Sequence, residues 1–114
     1  GSCLMMLKDG VLVTPPNTAS IVESITRDTI LEISKKLKYE TEMRSVDKDE
    51  LYSADEIFLC GTTAEIIPLI SIDNCIIGNG LTGSFTKKIY KEYLNEATGS
   101  HPYWLTPVWK KTKL

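Results

Sequence analysis

The segment Ile57-Phe58-Leu59-Cys60-Gly61-Thr62-Thr63 carries the clearest structural signal in this chain of 114 residues. Its four consecutive apolar residues predict a strand that is buried on both faces, and the glycine and two threonines end that strand. A Gly-Thr-Thr turn at a strand end is a suitable place for a ligand, because threonine hydroxyls add hydrogen-bond donors. The segment therefore predicts both a buried strand and a candidate site.

Apolar runs after this segment predict more strands. Residues 66–72 and 75–77 flank Asp73-Asn74 and predict a second β-pair. Proline cannot donate a hydrogen bond to a sheet, so Pro68 places the first of these strands at a sheet edge or at a bulge.

The start of the chain predicts a β-hairpin. Residues 3–7 and 11–13 are apolar runs that flank Lys8-Asp9-Gly10, and Asp-Gly between two such runs is a strong hairpin signal. The following segment, Thr14-Pro15-Pro16-Asn17, loses two backbone donors to its prolines and predicts a loop that leaves the sheet.

Two segments have a helical period. Residues 30–37 carry apolar side chains at i, i+3 and i+7, which predicts an amphipathic helix whose hydroxyl cap is Ser24 or Thr26, after a polar connection over residues 20–24. A second helix is predicted by side chains four apart, which are Phe85, Ile89, Tyr93 and Ala97.

The segments between these helices complete the prediction. Residues 39–46 alternate as an exposed or edge strand, and residues 47–54 predict a short helix. The order of elements favours an α+β fold, with a mixed sheet, β-hairpins and two main amphipathic helices.

Composition excludes several classes of protein. A mass of 12.7 kDa allows one domain at most, with 42% hydrophobic and 25% charged residues. The apolar runs are far shorter than the roughly 20 residues of a membrane-spanning helix, and a net charge of -2 makes nucleic acid an unexpected partner. The three cysteines form no CxxC pair, which indicates a reducing cytoplasm rather than a disulfide framework or a zinc site.

Several apparent motifs have a plainer interpretation. Residues 78–83 read Gly-Asn-Gly-Leu-Thr-Gly, but the dinucleotide fingerprint needs a βαβ unit that does not follow here. The single histidine, His101, is expected to have a surface or packing role, and Cys60 to be a small buried hydrophobe. The acidic residues between 47 and 56 lack the turn glycine of a calcium loop, so we expect helix caps and a solvated face.

Two turns that carry hydroxyls remain as candidate anion sites. Ser24-Ile25-Thr26 lies at the predicted helix start, where unpaired N–H groups and the positive end of the helix dipole suit a phosphate. Gly61-Thr62-Thr63 lies at the end of a predicted strand. From spacing alone, each is either an ordinary cap or turn, or half of a phosphate site.

Three blocks in order resemble the class IV aminotransferases, and the closest likeness is to branched-chain-amino-acid aminotransferases. The blocks are residues 8–16 (KDGVLVTPP), residues 25–28 (ITRD) and residues 50–68 (ELYSADEIFLCGTTAEIIP). The family typically has a hairpin ending in Thr-Pro-Pro, a Gly-Ile-Thr-Arg helix start and an Asp-Glu-Val-Phe-x-x-Gly-Thr-Ala-Ala-Glu-Ile-Thr-Pro-Val block. The resemblance runs from about residue 7 to residue 98.

The resemblance implies a pyridoxal 5'-phosphate site between two domains. Ile25 and Thr26 would supply backbone N–H groups and a hydroxyl to one side of the phosphate, and Gly61 and Thr62 would lie at the other. The turn Thr62-Thr63-Ala64 would offer N–H groups to the substrate carboxylate. No catalytic residue and no metal ligand is assigned within this chain.

The chain departs from the family in three places. Glu23-Ser24 stands where the family commonly has Pro-Gly, Thr63 replaces an alanine, and Ser84 stands where a proline is frequent. Since serine tolerates a positive φ less well than glycine, and a carboxylate is unfavourable near a phosphate, the first departure bears directly on the predicted site.

The resemblance also places the family's Schiff-base lysine, and the carboxylate at the pyridine nitrogen, before the first hairpin. We interpret residues 1–2 as an expression scar, because the chain opens Gly1-Ser2 without an initiator methionine. The resemblance implies the C-terminal part of the cofactor domain at residues 3–99, followed by a C-terminal tail at residues 100–114. The whole protein is expected to be a cytoplasmic homo-oligomer that exchanges amino groups between leucine, isoleucine or valine and 2-oxoglutarate. This piece would be inactive without the N-terminal part.

Two alternatives stay open. One is another class IV member, a D-amino-acid aminotransferase or an aminodeoxychorismate lyase, which differs in the side-chain pocket. The other is a non-catalytic binding module that keeps the fold without the chemistry, and Glu23-Ser24 favours it slightly.

Overall fold

The computed structural model describes residues 2–18, 20–61 and 66–98. Its strands are β1 (Ser2–Lys8), β2 (Val11–Thr14), β3 (Glu40–Met43), β4 (Glu56–Gly61), β5 (Ile66–Leu69), β6 (Ser71–Ile72) and β7 (Cys75–Ile76). Its helices are α1 (Ile21–Lys36), α2 (Lys48–Tyr52) and α3 (Ser84–Thr98).

A five-stranded mixed sheet forms the centre of the molecule, in the order β3-β2-β1-β4-β5. Strand β1 is antiparallel to both β2 and β4, β5 is antiparallel to β4, and only β3 runs parallel to its neighbour β2. The predicted α+β fold with a mixed sheet is confirmed.

The two predicted turns are present. Asp9 and Gly10 have φ values of 51° and 79°, and Asp73 and Asn74 have 49° and 65°. These left-handed pairs give a hairpin the twist of its strands, and both sequences are among those that adopt this geometry. Both β-hairpin predictions are confirmed.

The predicted strand over residues 66–72 is divided between two sheets, which corrects the sequence analysis. Its first part is β5, the edge strand beside β4, and its second part is β6, which pairs only with β7. Pro68 lies in the edge strand, as its missing N–H requires. The chain changes sheets at Ile70, whose carbonyl accepts a hydrogen bond from the Ile77 N–H (2.9 Å).

Side chains alternate between the two faces of the main sheet. Cys3, Met5 and Leu7 of β1 pack with α1 and α3 on one face, whereas Leu4 and Met6 belong to the cluster on the other face. The second cluster includes residues from α2 and from the β6–β7 region. The sheet is therefore covered on both faces, and α1 and α3 share the face that carries Cys3.

Helix α1 begins earlier than the sequence predicted. Ser20 is its N-cap, and the Ser20 hydroxyl accepts a hydrogen bond from the Glu23 N–H (3.2 Å). The predicted start at Ser24 or Thr26, and the polar connection over residues 20–24, are therefore wrong. Glu and Ser at positions 23 and 24 can continue a helix, whereas the Pro-Gly pair common in the family would interrupt it.

Across the described residues, no helix is both long enough and apolar enough to cross a membrane.

Candidate phosphate-binding site

Thr26 of α1 and Gly61 of β4 lie next to each other. The Thr26 hydroxyl donates to the Val22 carbonyl one helical turn earlier (3.0 Å), and it lies 3.5 Å from the Gly61 carbonyl oxygen. Thr26 is buried, with 5% of its surface exposed. The helix and the strand end that sequence analysis assigned to one site are therefore adjacent in the fold.

Ile25 has a different environment from Thr26. Its side chain is 61% exposed, and it lies in the second turn of α1, as Thr26 does. Only the first four N–H groups of an α-helix lack a partner within the helix, and here those groups lie at Ser20 to Glu23. The backbone donors of Ile25 and Thr26 are consequently used within α1 in this conformation.

A buried ionic group lies beside this helix start. Arg27 is 8% exposed, donates to the Pro16 carbonyl (2.8 Å) and pairs with Asp28 (3.0 Å). The helical period over residues 30–37 does not indicate this burial. The contact with Pro16 ties α1 to the loop that leaves β2.

Glu23 is buried as well, with 2% of its surface exposed. Its carboxylate raises the pKa values of two cysteines, Cys3 and Cys60, among other influences on them. The Glu23 carboxylate therefore lies close enough to the sheet face that carries Cys3 and Cys60 to act on both thiols.

Two cysteines lie at the same end of the sheet. Cys3 and Cys60 are directly opposite each other across β1 and β4, and the Cys3 sulfur is 3.4 Å from the Thr14 hydroxyl. Hydrogen bonds from Cys60 and Thr14 lower the pKa of the Cys3 thiol to about 6, and Arg27 contributes. The same hydrogen bond with Cys3, together with burial, raises the pKa of Cys60.

Tyr93 of α3 completes the surroundings of Thr26. It is 7% exposed, and burial raises its pKa, while a hydrogen bond with the Thr26 hydroxyl acts in the opposite direction. Sequence analysis had placed Tyr93 on the apolar face of its helix without a polar contact. A helical pattern cannot indicate a contact between two helices that are far apart in the sequence.

The glycine-rich motif at residues 78–83 leads into α3, and the start of that helix is already occupied by an anion. The Glu56 carboxylate accepts hydrogen bonds from the N–H groups of Phe85 (3.1 Å) and Thr86 (2.8 Å) and from the Thr86 hydroxyl (2.7 Å). A Cβ at Gly83 would overlap this carboxylate. The plainer interpretation of the motif, a connection between a strand and a helix, agrees with this geometry.

The acidic residues between 47 and 56 act as caps and turn contacts. The Asp47 N–H donates to Glu50 (3.0 Å), the Asp9 N–H donates to Asp55 (3.0 Å), and Glu56 caps α3. Within the part of the chain that the structure describes, no group of three or more potential metal ligands occurs. Thr62, Thr63, Ala64 and His101 lie outside the described residues.

The sequence is similar to known aminotransferases over most of its length. A model of the amino-transferase class IV family matches residues 1–72. A probable branched-chain-amino-acid aminotransferase of Aquifex aeolicus is 42% identical over 97% of this chain and 37% of its own length. The branched-chain-amino-acid aminotransferase of Salmonella typhimurium is 41% identical over 95% of this chain and 36% of its own length.

Solved structures give the same result. The branched-chain amino acid aminotransferase of Thermobaculum terrenum in its PLP-form has a TM-score of 0.77 and 42% identity, and the match covers 92% of this chain and 34% of that one. The branched-chain amino acid aminotransferase from Escherichia coli has a TM-score of 0.74 and 38% identity, over 90% of this chain and 35% of that one.

The chain spans about a third of the length of the curated relatives it matches. The matched blocks include α1, with Thr26, and β4, with Gly61, which are the two elements that meet at the candidate site. With this family match and this level of identity, the chain belongs to the class IV aminotransferases.

Proposed function

We propose that this chain supplies one half of the cofactor-phosphate site of a pyridoxal 5'-phosphate-dependent branched-chain-amino-acid transaminase. The reaction would move an amino group between leucine, isoleucine or valine and 2-oxoglutarate. The names of the relatives support this choice of substrate class. The remaining length of those relatives would contribute the other half of the site and the covalently bound lysine, so this chain alone would be inactive.

The observation that carries the proposal is the contact between Thr26 and Gly61. It brings together the helix and the strand end to which the family resemblance assigns the phosphate, although they are separated by more than thirty residues of sequence. A hydroxyl and a turn of backbone donors bind a phosphate without placing a formal positive charge beside it.

Different residues would bind the cofactor phosphate and the substrate carboxylate. Thr26 and Thr62 would donate hydroxyl hydrogen bonds to the phosphate, with Gly61 leading into the turn, while Ile25 would contribute a backbone N–H. The turn Thr62-Thr63-Ala64 would orient the substrate carboxylate. Pyridoxal phosphate, when bound, supplies the ring that withdraws electrons from the substrate's reacting carbon.

The start of α1 sets a condition on this proposal. Because the N–H groups of Ile25 and Thr26 lie within the helix, they become available only if the first turn, beginning at Ile21, unwinds. The hydrogen bond between Ser20 and Glu23 opposes that change. Binding of a phosphate therefore depends on the free energy needed to shorten α1 by about one turn.

The same observation favours the second candidate function, a non-catalytic module of this family. A chain in which Glu23-Ser24 permanently extends α1 would keep the fold and offer no backbone donors to a phosphate. The two candidates differ in one measurable property, which is whether the chain binds the cofactor through Thr26.

Equilibrium dialysis of pyridoxal 5'-phosphate against the 114-residue chain tests this difference. We expect saturable binding that weakens about tenfold in Thr26→Ala and roughly a hundredfold in Thr26→Ala/Thr62→Ala, because each hydroxyl contributes a hydrogen bond to a charged group. Thr29→Ala is the matched control, since its hydroxyl donates to the Ile25 carbonyl within the same helix (2.8 Å).

Borohydride reduction followed by peptide mapping separates phosphate binding from random reaction of the aldehyde with surface lysines. Saturable binding that is lost only in the Thr26 and Thr62 variants supports the transaminase proposal. Absent binding, or binding unchanged by these substitutions, would mean either that the site needs its other half or that the chain is the non-catalytic module.

Four further predictions concern the whole protein. A side-chain pocket for branched aliphatic groups would separate it from a D-amino-acid aminotransferase or an aminodeoxychorismate lyase. The cytoplasmic location, the homo-oligomeric state and the division of the chain at residue 99 are part of the same proposal. Activity of the full-length protein with leucine, compared with D-alanine, tests the substrate class directly.

A further inference from the structure

Cys3 and Cys60 form a pair that the proposed function does not use. Their Cα atoms are register partners in the antiparallel β1–β4 ladder, so both side chains project from the same face of the sheet. Directly opposed residues in such a ladder have Cα atoms about 4.5 or 5.5 Å apart. Both distances lie within the range of about 4.4–6.8 Å that a disulfide spans.

The environment of the two sulfurs is unequal. The Cys3 sulfur has the Thr14 hydroxyl at 3.4 Å, and both Cys60 and the Arg27 guanidinium favour its ionised form. Cys60 is held in its protonated form by the hydrogen bond to Cys3 and by burial, with 1% of its surface exposed. Cys3 is therefore the cysteine whose ionisation the surroundings favour, and Cys60 lies directly opposite it in the ladder.

Both cysteines are buried, with 4% of Cys3 and 1% of Cys60 exposed. Reaction with an oxidant therefore requires a local opening of the sheet and favours a molecule as small as hydrogen peroxide.

We propose that Cys3 and Cys60 are a reversible redox pair that hydrogen peroxide closes into a cross-strand disulfide. The Cys3 thiolate attacks one peroxide oxygen, the O–O bond breaks, and hydroxide leaves as a sulfenic acid forms on Cys3. The Cys60 sulfur then attacks the Cys3 sulfur, the S–O bond breaks, and the departing hydroxide takes the Cys60 proton as water. Two electrons pass from the two sulfurs to the peroxide, and a dithiol reductant reverses the change.

Cys75 provides the internal contrast. It is exposed in β7, in the separate two-stranded sheet, and it has no cysteine opposite it, since its register partner is Ile72. Exposure alone would make Cys75 the first cysteine to be oxidised. The proposal instead places the disulfide between two buried cysteines. Mapping which cysteines react therefore distinguishes oxidation at the exposed Cys75 from formation of the Cys3–Cys60 disulfide.

The experiment uses the 114-residue chain carrying Cys75→Ser, a substitution at an exposed position that leaves two thiols to follow. The chain is treated with a small excess of hydrogen peroxide, the remaining thiols are alkylated in denaturant, and tryptic peptides are mapped by mass spectrometry. We expect residues 1–8 to be linked to the peptide that contains Cys60, with the loss of two hydrogen atoms and full recovery after dithiothreitol.

Two further variants in the same background test the order of the steps. In Cys60→Ser, a sulfenic acid should accumulate on Cys3 and be trapped by dimedone, because the resolving thiol is missing. In Cys3→Ser, Cys60 should remain alkylatable after the same treatment. Folding of each variant is checked by far-UV circular dichroism, and the wild-type chain, mapped after cleavage before aspartate, must give the same Cys3–Cys60 link.

Three results would overturn the proposal. They are two fully alkylated cysteines after peroxide treatment, sulfinic acid on Cys3 without any cross-link, and a cross-link that forms as fast in denaturant as in the folded chain. The last result would mean that the ladder does not bring the sulfurs together.

Discussion

The starts of α1 and α3 differ in which groups accept hydrogen bonds from their unpaired backbone N–H groups. Helix α3 has a carboxylate of the protein itself at its N-terminus, because Glu56 accepts three hydrogen bonds from Phe85 and Thr86. Helix α1 has a single serine hydroxyl at its N-terminus, from Ser20 to Glu23, and its first residues expose apolar side chains. The carboxylate at the start of α3 comes from another element, strand β4, whereas the acidic residue in the first turn of α1, Glu23, belongs to the helix itself.

Strand β4 connects the two helix starts. Its first residue, Glu56, reaches α3, and its last residue, Gly61, lies beside Thr26 of α1. A helix N-terminus attracts negative charge, and the chain itself supplies that charge at α3. The proposed phosphate site lies at the start of α1, whereas the start of α3, which follows the glycine-rich motif, already holds a carboxylate of the chain.

Replacing Glu56 gives the largest expected effect on this comparison. Glu56→Ala leaves two buried backbone donors and the Thr86 hydroxyl without their acceptor, and we expect a loss of about 2–4 kcal/mol in the free energy of unfolding. Glu56→Gln keeps one acceptor oxygen and should lose about half as much. Urea denaturation followed by far-UV circular dichroism measures both changes.

Glu40→Gln is the matched control for that experiment, since Glu40 is exposed on the edge strand β3. Its free energy of unfolding should remain within about 0.5 kcal/mol of the wild type. If Glu56→Ala were no more destabilising than this control, the carboxylate would not be the cap of α3, and the contrast between the helix starts would disappear.

Restoring the family's residues at the start of α1 gives the next largest effect. In Glu23→Pro/Ser24→Gly, proline disfavours a helical conformation at Val22, so α1 should begin near Ile25 and free the backbone donors there. We expect the affinity for pyridoxal 5'-phosphate to rise about tenfold, equivalent to about 1.4 kcal/mol. The helical content measured by circular dichroism should fall by about one turn.

Glu23→Gln separates the effect of charge from the effect of the backbone. It removes the buried carboxylate but leaves α1 able to begin at Ile21, so it should raise the affinity much less than the double variant. A shortened helix without a gain in affinity would mean that the start of α1 does not control the site.

Local patterns predicted the elements whose determinants are close in sequence. Asp9-Gly10 and Asp73-Asn74 specify their turns directly, because few other pairs tolerate two positive φ values. The apolar run of β1 and the helical period of α3 indicated segments that become buried. The mixed sheet and its two main helices followed from these signals.

The errors have a different physical origin. The start of α1 depended on whether Ser20 or Ser24 caps the helix, and both serines have the right chemistry. The burial of Arg27 depends on the Pro16 carbonyl, which lies in another part of the chain. The proximity of Tyr93 to Thr26 depends on the packing of two helices, and the Cys3–Cys60 pair depends on the register of the sheet. No local pattern contains either.

The third helix start is that of α2, and changes there are expected to have the smallest effect of the three. The α2 residue Glu50 accepts from the Asp47 N–H (3.0 Å) and pairs with Arg44 (2.7 Å), but this group is exposed to solvent. Hydrogen bonds from Arg44, and then from the Asp47 backbone, lower the pKa of Glu50 to about 2 from its usual 4.5. Since the pKa of the folded state is the lower one, the stabilisation is present above about pH 4.5 and is lost as the pH falls towards 2.

A side-chain carboxyl titration of Glu50 by NMR measures this directly. We expect a midpoint near 2 in the wild type and a midpoint that moves towards 4.5 in Arg44→Gln, while Lys48→Gln, which removes a cation paired with Asp73, should leave it unchanged. Because the pair is largely exposed, salt should also move the midpoint upwards. A midpoint that stays near 2 in Arg44→Gln would mean that Arg44 does not hold the Glu50 carboxylate in its ionised form.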